Sequence, residues 1–169
     1  MIKLNLGCRR DIKTGYVNID IEEYPNVVIM DVRKLQYSDL SVDEIYAKDI
    51  LEHFSWRETE PILNEWNRVL KVGGDITIIT PDISLLFRNY NNRPVGWNRD
   101  QGNKLYGDPD WLDIVVMHMV GHQDSQYNYH FILFDRVSIS MVLKKTGFDI
   151  LDINECDGAN MIIKAVKVG

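Results

Sequence analysis

Ile2-Lys3-Leu4-Asn5-Leu6-Gly7-Cys8, followed closely by Gly15-Tyr16-Val17-Asn18-Ile19-Asp20, is the stretch on which the fold turns. Each half reads as a short apolar strand ending on a turn-forming residue, Gly7 in the first and Asp20 in the second. Residues 7–15 leave too little chain for an ordinary first crossover helix. Moving outward, Val27–Asp31, Glu44–Ala47 and Asp75–Thr80 repeat the strand pattern. A helix is predicted between the last two. Ser55 and Glu58 have capping-box spacing, Ile62, Leu63, Trp66, Val69 and Leu70 form one apolar stripe, and Gly73-Gly74 is expected to end it. Pro61 argues for a start later than Ser55. Asp82 is expected to cap a second helix with Ile83, Leu86, Phe87 and Tyr90 on one side. Strands alternating with helices predict a parallel sheet with crossover connections. Ile2, Leu4 and Leu6 alternate with Lys3 and Asn5, whereas buried parallel strands are apolar throughout, so one face of the first strand should be thinly covered.

The second half changes character. Asn89 to Lys104 is a long polar excursion rich in Asn and Arg, and such stretches are usually lids or disordered. Asp108-Pro109 looks like the cap and first turn of an apolar helix from Trp111 to Val120. A further helix is predicted from Asp135 to Thr146, stopped by Gly147. Phe148–Asn154 and Met161–Val168, joined by Asp157-Gly158, predict a closing antiparallel hairpin. The whole, 1–169, reads as a single domain with a polar lid or insertion around 88–130. With 45% hydrophobic and 26% charged residues the chain can build a proper core. Its 19 Lys+Arg against 25 Asp+Glu, a net charge of −6, argue against a nucleic-acid partner or an anionic membrane surface. No apolar run approaches the roughly 18 residues of a spanning helix. Patterned structure begins at once, without room for a signal peptide, and Cys8 and Cys156 make no disulfide framework, so a cytoplasmic setting is expected.

Open α/β sheets bind ligands beyond the carboxyl ends of their strands. Gly7-Cys8-Arg9-Arg10 follows the first strand, Asp20 and Ile21 end the second, Asp31-Val32 the third, and Lys48-Asp49-Ile50-Leu51-Glu52-His53 follows the fourth. An acid ending the second strand can accept both hydroxyls of a ribose, and one ending the third can accept from an adenine amine. A glycine ending the first lets backbone approach a ligand closely. In this order the signals indicate an adenosine pocket. A dinucleotide fits poorly, because G-x-G-x-x-G would need glycine where Arg9 and Ile12 stand.

Leu4-Asn5-Leu6-Gly7-Cys8, Gly15 to Asp20, Ile45-Tyr46-Ala47 with Leu51-Glu52-His53-Phe54, and Glu65 to Gly74 together resemble class I S-adenosylmethionine-dependent methyltransferases, of the small, short-looped bacterial and phage type. Gly121, Gln123, His130, Phe134 and Thr146-Gly147-Phe148 look like the C-terminal half of that group. The resemblance implies an α/β, Rossmann-like seven-stranded sheet of order 3-2-1-4-5-7-6, mostly parallel with the last strand antiparallel, and helices on both faces. It implies S-adenosyl-L-methionine as cofactor. Gly7 and its neighbours Asn5 and Cys8 would face the methionine moiety, Asp20 and Ile21 the ribose, Asp31 and Val32 the adenine, and Lys48 and Asp49 the methionine end. His53 is a further cofactor candidate, or a residue holding the start of the following helix. The family usually has a second glycine where Arg9 stands, and Arg9 would either crowd the cofactor or pair with its carboxylate.

Methyl transfer is an in-line displacement that gains most from alignment, with a general base where the nucleophile carries a proton. His122 and His130 are the candidates for that base, and Tyr127-Asn128-Tyr129 offers an acceptor surface. His118 and His122 stand at i, i+4, but H-E-x-x-H is absent and Gly121 interrupts the helix, so no metal is assigned. Cys8 reads as a small buried filler. The expected activity is methyl transfer to a small-molecule or sugar-like acceptor; the alternative is a non-catalytic S-adenosylmethionine-binding module or accessory subunit. A nucleotide-sugar or NAD-binding Rossmann protein is disfavoured by the glycine pattern. The lack of a helix before the first strand suggests closure of the pocket by a partner, with a homodimer as the simplest case.

Overall fold

The structure, a computed structural model, describes residues 1–91 and 117–169. The strands are β1 (Lys3–Leu6), β2 (Val17–Asp20), β3 (Val28–Ile29), β4 (Val42–Lys48), β5 (Leu70–Pro81), β6 (Phe148–Cys156) and β7 (Asn160–Lys167). They form one sheet in the order β3-β2-β1-β4-β5-β7-β6. β1 to β5 pair in parallel, and β7 runs antiparallel to both β5 and β6. The helices are α1 (Trp56–Val69), α2 (Ile83–Asn91) and α3 (Arg136–Lys145), with a 3-10 turn at Leu51–His53. Order and directions are those expected. Asp157 and Gly158 take the positive φ values, 49° and 80°, that a tight hairpin turn needs.

Register explains the core. Leu4, Ile45, Ile76 and Ala165 lie in one row across the sheet, and Leu6, Ala47, Ile78 and Ile163 in the next. All are buried under Ile62, Leu63 and Trp66 of α1 and Ile139 and Leu143 of α3. The two helices lie side by side, tied by the Lys145–Glu60 ion pair at 2.7 Å and by the Asn67 amide donating to the Gly147 carbonyl at 3.1 Å. The indole N–H of Trp66 donates to the Val32 carbonyl at 3.0 Å, fastening α1 to the chain that leaves β3.

The opposite face of β1 is polar, as its alternation foretold. Asn5 is nonetheless buried: its amide donates to Asn18 Oδ1 and to the Asp11 carbonyl, both at 2.8 Å. Asn18 Oδ1 also accepts from the Lys13 N–H at 2.8 Å. The helix-free connection from β1 to β2 is thus held by two side-chain amides in place of crossover packing.

Several expectations need correction. α1 starts at Trp56 despite Pro61, because the reciprocal Ser55–Glu58 capping box fixes its start. Its end is at Val69, not at Gly73-Gly74: Leu70 turns to extended backbone (ψ 141°) and begins β5 directly. The glycines lie inside β5, where a Cβ on Gly74 would stand 2.9 Å from the Lys71 carbonyl oxygen. α2 buries Leu85 and Leu86 and leaves Phe87 and Tyr90 exposed, so the predicted stripe was rotated. β3 is shorter than Val27–Asp31, and β5 longer than Asp75–Thr80. The polar excursion beyond 91 and the predicted helix before 117 lie outside the described residues; 117–120 are helical.

Candidate active site

Two adjoining hollows open at the carboxyl ends of β1, β2 and β4. Asn5, Gly7, Cys8, Lys48, Asp49 and His53 line the first, of about 330 Å³. Gly7, Asp20, Ile21, Asp31, Val32 and His53 line the second, of about 240 Å³. Gly7 and His53 stand on both, and His122 and His130 face the first. The topology therefore gathers every candidate named from sequence into one continuous cleft.

On the second hollow, Asp20 is the organising residue. It is 5% exposed, and its two carboxylate oxygens accept from the backbone N–H of Arg9 at 2.7 Å and of Glu22 at 3.0 Å. Each oxygen has acceptor capacity beyond that one bond. Asp31 lines the same hollow but is already engaged: Arg33 binds its carboxylate through Nε at 3.0 Å and Nη2 at 2.8 Å. That guanidinium holds the Asp31 carboxyl below the usual range. Gly7 has φ +64°, and a Cβ there would meet the Ile50 side chain at 2.6 Å. Its glycine requirement comes from the left-handed backbone and from packing against Ile50, rather than from room for a ligand. Arg9 lines only the first hollow, so the space between Asp20 and Asp31 stays open. Its guanidinium interacts with the Tyr24 hydroxyl in the field of Asp124 and Glu22.

The first hollow is walled by a returning loop. The helical end at 117–120 closes at Gly121, whose N–H donates to the Met117 carbonyl at 2.9 Å. Gln123 and Asn128 then fold the chain back, and the Phe131 N–H donates to the Glu52 carbonyl at 2.8 Å. His122 therefore lies off the helix that carries His118, which removes the shared helix face considered from sequence. His53 and His130 meet edge to face with ring centroids 4.7 Å apart. His53 Nδ1 bonds the Tyr129 carbonyl at 3.0 Å, and His130 Nδ1 the His118 carbonyl at 2.9 Å. Burial keeps the His53 ring neutral, lowering its pKa to about 4, and lowers that of His130 as well. The Cys8 thiol is pushed up to about 11 by burial and by Asp20, so it stays protonated and serves as filler.

Glu52 was quoted from the sequence but given no role. It is 1% exposed; Oε2 accepts from the Thr80 hydroxyl at 3.0 Å, and Oε1 has no hydrogen-bond partner. Burial, reinforced by Asp49, raises its carboxyl to about 8. The available signal was its place in the stretch that follows the carboxyl end of β4, where open α/β sheets bind ligands. Asn160, a buried polar residue on this cavity, was likewise missed, whereas Asn128, also buried there, belongs to the Tyr127–Tyr129 tract expected to face an acceptor.

Residues 9–78 match a family described as a methyltransferase domain. No curated protein matches the chain. Among solved structures, the 1,6-didemethyltoxoflavin-N1-methyltransferase of Burkholderia thailandensis, solved with 1,6-didemethyltoxoflavin and S-adenosylhomocysteine, is similar over 99% of this chain and 71% of its own, at 13% identity and a TM-score of 0.68. A methyltransferase from Methanosarcina mazei is similar over 98% and 92%, at 16% identity and TM-score 0.65. The [4+2]-cyclase SpnF is similar over 99% and 75%, at 16% identity and TM-score 0.59. The sheet order and these likenesses give the chain the Rossmann-like fold that S-adenosylmethionine-dependent methyltransferases adopt, with a methyltransferase-domain match over 9–78.

The cleft suits that cofactor. A sulfonium and an amino-acid tail carry no phosphate, and the cleft offers carboxylates at Asp20 and Asp49 with Lys48 nearby and, among the described residues, no glycine-rich phosphate cradle. Among the described residues, no helix is long and apolar enough to cross a membrane.

Proposed function

We propose that this chain transfers a methyl group from S-adenosylmethionine to a small-molecule or sugar-like acceptor in a reducing, cytoplasmic setting. The observation that carries the reading is the joining of two hollows at Gly7 and His53, one with Asp20 buried in its wall and the other faced by four polar or titratable side chains, Glu52, His53, His122 and His130. Asp20 holds the ribose hydroxyls, Ile21 and Val32 flank the adenosyl group, and Asp31 accepts from the adenine amine beside Arg33. Asn5, Gly7, Cys8, Lys48 and Asp49 surround the amino-acid end. The bound cofactor supplies an electrophilic methyl carbon. The chain's own residues align the acceptor against it, exclude water with the loop 121–131, and accept the acceptor's proton on His122 or His130.

Calorimetric titration with S-adenosylhomocysteine, together with mass spectrometry of ligands that co-purify, tests the reading. Saturable binding and an acceptor that gains one methyl group are expected. Tight binding without a methylated product from any hydroxyl or amine acceptor favours the second reading, a cofactor-binding module without methyl transfer. The likeness to a [4+2]-cyclase gives that reading its support, since this fold also carries other chemistry.

A further inference from the structure

Glu52, His53 and His130 come from a 3-10 turn and a distant loop, yet one potential ligand atom from each lies within 4.8 Å of the others. Some point therefore lies within about 2.8 Å of all three, and shifts of less than about 1 Å reach the roughly 2.0–2.2 Å of metal–nitrogen and metal–oxygen bonds.

Each of the three is oriented from behind. Nδ1 of His53 and of His130 donates to a backbone carbonyl, of Tyr129 and His118 respectively, which leaves Nε2 as the nitrogen with an open lone pair. Glu52 is fixed through Oε2 by the Thr80 hydroxyl. This is the outer shell that metal-binding imidazoles and carboxylates commonly carry. The independent pointer to a ligand is Glu52 Oε1, an orphaned oxygen on a side chain that is 1% exposed and lines the cavity. A buried polar atom without a partner is costly, and neither histidine bonds it here.

We propose that Glu52, His53 and His130 bind one divalent first-row metal ion, of the manganese-to-zinc group, at the acceptor end of the cleft. Two imidazoles and one carboxylate suit such ions and leave positions open. Its role in catalysis rests on the methyltransferase reading; the site itself does not. An acceptor hydroxyl on an open position is made more acidic by the ion and gives its proton to His122, which faces the cavity outside the ligand set. The oxygen then bonds to the methyl carbon as the carbon–sulfur bond breaks and sulfur keeps the electron pair.

The test uses the full chain, stripped with a chelator and titrated with Co²⁺ and Zn²⁺ by visible absorption and calorimetry. One ion per chain is expected, with affinity at least about 10-fold weaker in Glu52→Gln and His130→Asn and unchanged in His122→Asn. Ring-nitrogen NMR of the unaltered chain needs no variant: Zn²⁺ should shift Nε2 of His53 and His130 and no other histidine. Absence of stoichiometric binding, or binding that follows His122 or shifts other histidines, overturns the proposal and leaves a buried water as the partner of Oε1. Titration with S-adenosylhomocysteine on the metal-free chain separates the two readings. Metal binding without it sinks the cofactor assignment alone, and its binding without any metal response sinks the metal site alone.

Discussion

Asp20→Asn is the most informative single change. The carboxylate receives two backbone N–H groups, from Arg9 at 2.7 Å and Glu22 at 3.0 Å, in a side chain that is 5% exposed. An amide keeps one acceptor oxygen and sets an NH₂ against the other N–H, leaving a buried donor unsatisfied. The cost to the fold is about 1–3 kcal/mol, or roughly 2–12 °C in melting temperature for a chain of this size. On the ligand side, each ribose hydroxyl that loses a charged acceptor costs about 1.5–3 kcal/mol. One such loss weakens S-adenosylhomocysteine by roughly 10- to 150-fold. Calorimetry at a temperature well below the melting point of the variant separates the two effects, and circular dichroism checks that it is folded. A folded variant that binds the ligand as tightly as the parent refutes Asp20 as the ribose acceptor, because the other carboxylates lining that hollow among the described residues, Asp31 and Glu58, are both paired with Arg33.

Gly7→Ala should cost about 1–2 kcal/mol for its left-handed backbone, on top of the overlap with Ile50. In urea unfolding, adding Ile50→Ala should relieve the overlap and leave the backbone cost, giving a coupling of about 0.5–3 kcal/mol; strict additivity would disprove the contact argument. Trp66→Phe removes the donor to the Val32 carbonyl and part of a fully buried ring, so a loss of about 2–4 kcal/mol is expected from the urea midpoint, and less than about 1 kcal/mol would contradict it. Glu65 is held below its ordinary pKa chiefly by Arg68, and also by the Leu35 N–H. A depressed folded pKa stabilises above the unfolded value near about 4.3 and loses that contribution as pH falls through the folded value. Glu65→Gln should therefore lose less stability than the parent between neutral and strongly acid pH; parallel curves would rule the linkage out.

What could be read in advance follows from which interactions are local. The ends of β1 and β2 were legible because Gly7 and Asp20 are turn residues whose role is set by their immediate neighbours, and the closing hairpin because Asp157-Gly158 encodes its own turn. The end of α1 was misplaced for the opposite reason. Gly73-Gly74 is a strong local stop, but Leu70 is drawn into β5 by pairing with Val42, a contact no window around the glycines contains. The same distinction divides the cleft. Asp20 and Asp31 sit at strand tips and had to face it once the strand order was known. Glu52 looks in sequence like any acid at a helix approach, where solvation is the default. Its desolvation depends on Thr80 behind it and on a loop whose Tyr129 carbonyl reaches His53 across a separation of 76 residues. A buried carboxyl with one idle oxygen beside two oriented imidazoles is thus a product of tertiary packing, and its desolvation is relieved either by a proton, as its raised pKa allows, or by a ligand. A bound cation would be such a ligand, replacing lost hydration with direct bonds at the end of the cleft proposed for the acceptor.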